Sequence, residues 1–358
     1  MQKTMHPVSM ETINIGKRQV GSGAPVFVIA EAGVNHNGDL RLAMQLVDTA
    51  VEAGVDAVKF QTFHAEDVVS AAAPKARYQV ESTGAEESQL DMLKQLELSS
   101  ADFLALSEYC RSKEIMFLSS PFDRQSVDLL ESLNVPAYKV PSGEITNWPF
   151  LEYVASKGKP IILSTGMSFL SEVREAVRVL RSAGCSELAL LHCTSSYPAS
   201  PADSNLRAMN TMTQTFDVPV GLSDHTVGME MPLAAVAAGA CIVEKHFTLD
   251  KSLAGPDHRA SCDPLELRGI VQGIRLIEAA MGDGVKQPTP SEEDVRNVAR
   301  RSILAREAIP HGARIESEML VFRRPGTGIP PSSISSLIGR RATRTIPADT
   351  MIRSEDFE

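Results

Sequence analysis

A chain of 358 residues with 43% hydrophobic and 22% charged content has the make-up of a soluble globular protein and is long enough for two domains. Its net charge of −10 argues against nucleic acid as a partner, so an anionic ligand must be held by local donors against the overall field. The sequence has no apolar run of about 18 residues to span a membrane, and Met1–Met10 lacks the apolar core of a secretory leader. Five cysteines without a CxxC pair fit a reducing cytoplasm better than a disulfide framework or a zinc knuckle.

Residues 11–24 open with alternation at Ile13 and Ile15 and a glycine turn at Gly21–Gly23, the pattern of a small hairpin that could plug a barrel's lower end. Eight short apolar segments follow: Val26–Ala30, Ala57–Phe60, Ile115–Leu118, Ala137–Val140, Pro160–Leu163, Leu188–Leu191, Val218–Leu222 and Cys241–Val243. Helical stripes lie between them. Asp39 can cap a helix carrying Leu42, Leu46, Val47, Ala50 and Val51, with Gly54 as its stop. Leu170, Val173, Val177 and Leu180 form a second stripe ending at Gly184, and Leu267, Ile270, Val271, Ile274 and Ile277 a last one ending near Gly282. Strands separated by single helices imply parallel pairing with crossover helices, and eight such units suit a closed α/β barrel of the (β/α)₈ TIM type. One connection, residues 62–114, is too long for a single helix. Its stretch Ser70–Leu98 reads as a loop with short helical pieces over the barrel mouth; a decorative insertion is the plain alternative, but long loops in compact domains are more often lids or binding loops.

The expected barrel domain is residues 1–282 with its N-terminal hairpin. The polar, Pro/Gly-rich residues 283–296 read as a linker. Residues 297–358 form a small Arg-rich domain with β-like pieces at Ser302–Ala305 and Ile309 and a tight turn over Arg324–Gly328. Its segments Ile309–Ala313 and Ile346–Thr350 resemble each other, and so small a domain has a thin core.

Every apolar segment ends in polar residues, which have no packing use at the end of a buried strand and point to a catalytic mouth, because a (β/α)₈ barrel builds its site from the C-terminal ends of its strands. His225 and His246 end the last two segments. Neighbouring strands are about 4.8 Å apart, so two such imidazoles can share one metal with positions left open for substrate. Two hydrogen-bonded histidines without a metal fit the pattern equally well. Lys59, Lys139, Ser142, Ser164 and Ser223 offer donors for a phosphate and a carboxylate, and Gln61, Ser120 and Ser195 extend the set. Salt bridges and helix caps are the plain alternative, weakened for Lys59 and Lys139 because each lies inside an apolar run and a buried lysine needs a paired anion. Glu31 and Glu144 could move a proton or hold a sugar hydroxyl. Asp257 alone reads as turn chemistry, and Arg324 alone as a solvated turn residue.

The chain resembles the sialic acid synthase family from about residue 26 to its C-terminus. The matching stretches include IAEAGVNHNGDL at 29–40, AGVDAVKFQTF at 53–63, APKARYQ at 73–79, ESQLDMLKQLEL at 87–98, FLSSPFD at 117–123 and YKVPSGE at 138–144. Further on come ILSTGM at 162–167, LLHCTSSYP at 190–198, GLSDHT at 221–226, EKHFTLDK at 244–251, GPDHRAS at 255–261 and FRRPGTGI at 322–329. The resemblance implies a TIM barrel followed by an antifreeze-like (SAF) domain that caps the barrel of the other subunit in a domain-swapped homodimer. It implies condensation of phosphoenolpyruvate with N-acetylmannosamine to give N-acetylneuraminate, with the 2,4-diacetamido hexose of legionaminic acid synthesis as the nearest alternative. It assigns His225 and His246 to a divalent metal, by family habit Mn²⁺, with Mg²⁺ or Co²⁺ possible. The lysine, serine and Gln61 positions become phosphoenolpyruvate contacts, although many members have Asn where this chain has Ser195. Tyr197, Asp257 and Arg324 become sugar contacts; of the two glutamates, Glu31 is expected to orient the substrate and Glu144 to be the base for the attacking water. His192, Cys193 and Trp148 read as structural. Two more distant readings remain. One is a shikimate- or Kdo-type synthase, which lacks the C-terminal domain. The other is a non-catalytic sugar- or ice-binding protein, which would have no use for Glu31, Lys59, Lys139, His225 and His246 together.

Overall fold

The computed structural model describes residues 12–358, so the expected absence of a leader in Met1–Met10 lies outside the described residues. The chain divides into two compact units, one ending at Gly282 and one beginning at Asp283. The first unit opens with the antiparallel hairpin β1 (Ile13–Ile15) and β2 (Arg18–Val20), in which Ile13 faces Val20. Eight parallel strands follow: β3 (Phe27–Gly33), β4 (Ala57–Thr62), β5 (Met116–Pro121), β6 (Tyr138–Val140), β7 (Ile161–Ser164), β8 (Leu188–Cys193), β9 (Val220–Asp224) and β10 (Ile242–His246). The hydrogen-bonded order is β5-β4-β3-β10-β9-β8-β7-β6. The two ends of that order, β5 and β6, also lie in contact, so the sheet curls into a barrel.

Period-two alternation along the strands sorts the side chains into two layers. Phe27 and Ile29, Ala57, Leu118, Ala137, Ile162, Ala189 and Leu191, and Ile242 form one buried cluster that fills the barrel, together with Ile13, Ile15 and Val20 of the hairpin. Their alternates, such as Val28 and Ala30, Val58 and Phe60, Leu163, Leu190 and Val243, belong to the larger cluster shared with the helices. The apolar filling therefore occupies the lower barrel. The next inward positions on the same strands are Glu31, Lys59, Ser120, Lys139, Ser164, Cys193, Ser223 and Glu244, and all of them line one cavity.

The helices around the barrel include α1 (Leu40–Ala53), then α2 (Ala65–Val68), α3 (Arg77–Thr83) and α4 (Gln89–Leu96) within the long second connection. The others are α5 (Ser100–Ser112), α6 (Arg124–Ser132), α7 (Trp148–Ala155), α8 (Leu170–Ser182), α9 (Arg207–Phe216), α10 (Glu230–Ala237) and α11 (Pro264–Met281). Asp39 caps α1 by accepting from the Arg41 N–H, and Gly54 ends it at φ 78°, a left-handed conformation that costs glycine little. No helix among the described residues is long and apolar enough to cross a membrane.

Two details differ from the sequence reading. The strands run one to three residues past several of the apolar segments, so Glu31, Gln61, Ser164, Asp224 and His246 belong to the strands themselves. Ladder pairing involves backbone groups and does not stop where side chains turn polar. The polar strand-end residues also do not all face the mouth. Thr62 and Ser119 share a 2.6 Å hydrogen bond, and Lys245 pairs with Asp224 at 2.5 Å while donating to the Thr226 carbonyl. None of these five lines the cavity. They occupy the alternate positions, where a buried polar group must find its partner within the protein.

The second unit contains helix α12 (Glu293–Ala299) and the antiparallel pair β11 (Ser302–Ala305) and β12 (Leu320–Arg323). The stretch expected to be a plain linker is thus partly helical. Thr289 and Glu292 form a capping box, and Glu293 and Asp294 place negative charge at the helix start. The two similar segments pair with each other, Ile309 and Ile346 exchanging both backbone hydrogen bonds at 2.9 Å. They join a small core with Ile303, Ile315, Leu320, Leu337 and Ile352. Ser302 Oγ donates to the Pro325 carbonyl at 2.6 Å and accepts from the Gly328 N–H at 2.8 Å, holding the turn that carries Arg324.

Candidate active site

The cavity at the C-terminal end of the barrel measures about 390 Å³. A larger hollow of about 690 Å³ opens beside it and shares Met167, Cys193 and Ser195, but its lining holds none of the buried lysine–carboxylate pairs. The smaller cavity has the chemistry. Its floor is a closed network. Lys59 Nζ lies 2.6 Å from Glu31 Oε2 and 3.7 Å from Glu244 Oε2, and donates to Ser120 Oγ at 2.9 Å. Lys139 Nζ lies 3.1 Å from Glu244 Oε1, which also accepts from Ser223 Oγ at 2.8 Å. Gln61 Nε2 donates to Glu31 Oε1 at 3.3 Å. Two ammonium groups and two carboxylates thus neutralise one another out of water, which is how ions are tolerated there.

The charges are unequally held. Burial pushes the Glu244 carboxyl up, but Lys139, Lys59 and the Ser223 hydroxyl outweigh it and hold the group at about 2. Burial pushes Glu31 up as well, and with the negative Glu244 nearby Lys59 does not fully offset it, so Glu31 stays above the usual carboxylate range. Burial lowers Lys59, yet the two glutamates more than compensate and it stays charged.

Beside the floor two serines, Ser142 and Ser195, stand against Gly166. The Gly166 N–H donates to Ser142 Oγ at 2.9 Å, and a Cβ on Gly166 would fall 2.2 Å from Ser195 Oγ and 2.9 Å from Ser142 Oγ. Only a residue without a side chain leaves these hydroxyls where they are. Ser164 Oγ is buried with no hydrogen-bond partner in the protein. A buried hydroxyl without a partner is costly unless a ligand completes it.

His225 and His246 meet at the far wall, their ring centroids 5.2 Å apart. His225 Nδ1 donates to the Thr194 carbonyl at 2.8 Å, which leaves Nε2 with the free lone pair. His246 Nδ1 is buried with no hydrogen-bond partner and faces Asp257 Oδ2 at 3.8 Å. Burial, then the proximity of His225 and Lys59, keeps His246 well below the usual histidine range, so its imidazole is neutral. Burial pushes the Asp257 carboxyl up to about 6. Burial lowers His225 too, but the Cys193 sulfur at 3.8 Å and the Thr194 carbonyl favour its charged form and leave it above the usual value. An orphaned imidazole nitrogen, a second free nitrogen and a desolvated carboxylate are the donor set a divalent cation takes. The chemistry of these side chains suits such an ion, and Asp257, expected as a sugar contact, stands beside His246.

Among the described residues, the three possible ligands that converge within 4.8 Å of one another are His64, Asp67 and Asp123. Their acceptors are already engaged. Asp123 caps α6 by accepting from the Ser126 N–H and Oγ–H, each at 2.7 Å, and takes the His64 N–H at 2.9 Å, while Asp67 accepts from Gln125. None of the three lines the cavity.

The expected residues Glu31, Lys59, Gln61, Ser120, Lys139, Ser142, Ser164, Ser195, Tyr197, Ser223, His225, His246 and Asp257 all line this one cavity. Two expected residues do not. Glu144 is half-buried outside the lining and accepts from Asn147 Nδ2 at 2.7 Å. Arg324 is exposed in the second unit, with no ion pair or hydrogen bond among the described residues. Sequence reasoning gave no role to Glu244, although it had argued that the buried lysines need an anion and Glu244 shares its face of the strand with His246. It read Cys193 as structural, whereas the thiol lies in the cavity wall. It also gave no role to Tyr78, whose ring lies 5.0 Å from Tyr197, which in turn lies 4.1 Å from His225.

The NeuB family model matches residues 46–286, and the SAF domain model matches residues 300–358. The N,N'-diacetyllegionaminic acid synthase of Legionella pneumophila is 50% identical over 96% of this chain and 98% of its own length. The N-acetylneuraminate-9-phosphate synthase of Mus musculus is 35% identical over 95% of each chain. Among solved structures, the N-acetylneuraminic acid synthetase of Leptospira borgpetersenii superposes with a TM-score of 0.71 at 37% identity, covering 80% of this chain and 95% of the other.

Proposed function

This chain belongs to the NeuB family and is a phosphoenolpyruvate-dependent nonulosonate synthase, and from that premise we propose that it joins phosphoenolpyruvate to an open-chain 2,4-diacetamido hexose, giving a nine-carbon 2-keto acid and phosphate. The observation that carries the reading is that one cavity holds both the buried lysine–serine cradle and the paired histidines. The sequence expectation ranked N-acetylmannosamine first. Identity of 50% to a diacetyllegionaminic acid synthase, against 35% to an N-acetylneuraminate-9-phosphate synthase, supports reversing that order.

In this reading Lys139, Ser142, Ser164, Ser195 and Ser223 hold the phosphate and carboxylate, with Lys59, Gln61 and Ser120 completing the cradle. Each lysine has three donors, so its glutamate partners leave capacity for an anion. Ser164 Oγ gains the acceptor it lacks. Glu31 and Tyr197 orient the sugar. A divalent cation held by His225, His246 and Asp257, Mn²⁺ by family expectation, would polarise the sugar aldehyde. C3 of phosphoenolpyruvate attacks the aldehyde carbon, water adds at C2, and phosphate leaves with the bridging oxygen. Glu144, expected as the base for that water, lies outside the cavity lining and accepts from Asn147, and it takes no part in this reading. The fixed donors supply electrostatic stabilisation without reorganisation. The working unit is a homodimer in which Arg324 of each chain reaches the other's sugar, and a cytoplasmic location is supported by five free cysteines.

The test is phosphate release from phosphoenolpyruvate, which should require the sugar. With ¹⁸O at the bridging position, the label should appear in phosphate. Label retained in the keto acid would overturn the assigned role of water. The dimer is tested separately. A charge-assisted hydrogen bond from Arg324 is worth about 1.5–3 kcal/mol, so Arg324→Ala should lose roughly 10- to 100-fold in kcat/KM. Refolded in equal amounts with an inactive His225→Ala chain, it should regain activity at about one quarter of all sites by random pairing. No recovery would assign Arg324 to its own barrel.

A further inference from the structure

We infer that the wall formed by Val68, Val69, Leu93 and Phe122 selects the sugar by the end remote from its aldehyde, admitting acetamido and methyl groups and rejecting a phosphate. The inference rests on the condensation proposed above and specifies which residues read the sugar.

The cavity has two unlike sides. Its floor is ionic. Its lid side is built from α2, α4 and the segment after β5, and there the four wall residues are only half-buried although each lines the cavity. Behind them Met92 and Leu96 are buried in a packed apolar cluster with Val34 and Phe63. The wall is therefore apolar in depth, although the lid also places Tyr78, Gln79 and Gln89 in the cavity lining. Leu93 and Phe122 pack only partly against that cluster, so apolar surface remains facing the cavity. A lid serving only to pack would have buried it.

Charge sharpens the argument. Among the described residues, the only cationic side chains lining the cavity, histidines aside, are Lys59 and Lys139. Both are on the floor and bound to Glu31 or Glu244. A phosphate on the sugar's remote end would face the apolar wall without a counter-charge from this unit, and a dianion cannot be desolvated unpaired. A hydroxyl against these four side chains would lose water and gain no partner from them. A methyl group, or the methyl end of an acetamido group, would instead bury apolar surface.

The experiment compares kcat/KM of the parent enzyme for three sugars with phosphoenolpyruvate: a 2,4-diacetamido-6-deoxy hexose, N-acetylmannosamine and N-acetylmannosamine 6-phosphate. The diacetamido sugar should lead N-acetylmannosamine by about 10- to 100-fold, the range a hydrophobic pocket can discriminate, and the 6-phosphate should be the poorest. The variants Leu93→Gln and Val68→Thr, the second nearly isosteric, should each lower the diacetamido-to-N-acetylmannosamine ratio several-fold and leave the KM for phosphoenolpyruvate within about two-fold. Turnover of the 6-phosphate as fast as the diacetamido sugar overturns the inference and leaves the condensation standing. So does an unchanged ratio in both variants. Failure of the parent to condense any of the three sugars overturns the proposed function and the inference with it.

Discussion

The floor and the lid of the cavity achieve order by opposite means. The floor is made of single residues from eight strands, its ions held by opposite charges, as Glu244 is held between Lys59 and Lys139. The lid is made of short helices from one connection, held by apolar contact and caps, as Ser88 caps α4 by accepting from the Asp91 N–H. The floor's parts are mutually dependent, since removing one ion strands another in a dry interior. The lid's parts are each worth little and can change singly. A family that keeps one reaction and varies its sugar can therefore hold the first and vary the second.

The comparison makes predictions that descend in size. Removing a proposed metal ligand beside the floor should have the largest effect. His246→Ala should lose about 10³-fold or more in kcat, as expected where one group stabilises the developing charge, and calorimetry should find that it no longer binds Mn²⁺ while the parent does. Equal Mn²⁺ binding by the variant would remove His246 from the ligand set. Next, Glu244→Leu should destabilise the barrel by about 3–5 kcal/mol, since it leaves Lys139 without its carboxylate. Urea unfolding measures this, and a change below about 1 kcal/mol, the range of an exposed pair, would show the floor not to be interdependent. Third, Gly166→Ala should raise the KM for phosphoenolpyruvate about ten-fold, or about 1.4 kcal/mol, by displacing Ser195 and Ser142, with the sugar KM little changed. An unaltered phosphoenolpyruvate KM would separate these serines from the anion site. The smallest effect belongs to the lid. Ser88→Ala should cost about 1 kcal/mol of cap and show as faster amide exchange confined to 89–96, with only a modest rise in sugar KM. Exchange spreading into the strands would mean that lid and floor fold as one.

Much of the floor was legible from sequence because a parallel barrel strand carries a simple code. An apolar run that ends in a charged residue signals the mouth, and Lys59 and Lys139 inside their runs could not be surface residues. The limits of that reading were also physical. Asp224 and Lys245 end strands as polar as any, yet a single-residue step turns them to the alternate face, where they pair with each other. Glu144 follows β6 much as Glu31 follows the apolar run of β3, but a short helical turn, Ser142–Glu144, carries it out of the cavity lining. Capping residues inside 283–296 made a helix where composition suggested a linker.

Local pattern by itself determined the alternation of strand and helix, the inward residues of the strands and the break near Gly282, since these depend on neighbours within a few positions. Family resemblance added the chemistry those residues could serve. Only the tertiary structure decided which residues meet. Glu244 neutralises two lysines 105 and 185 positions earlier in the chain, Asp257 approaches His246 across a turn, and Tyr78 from the long connection stacks toward Tyr197 and His225. These contacts depend on how the barrel closes and where one connection folds back over it, and spacing along the chain carries no record of either.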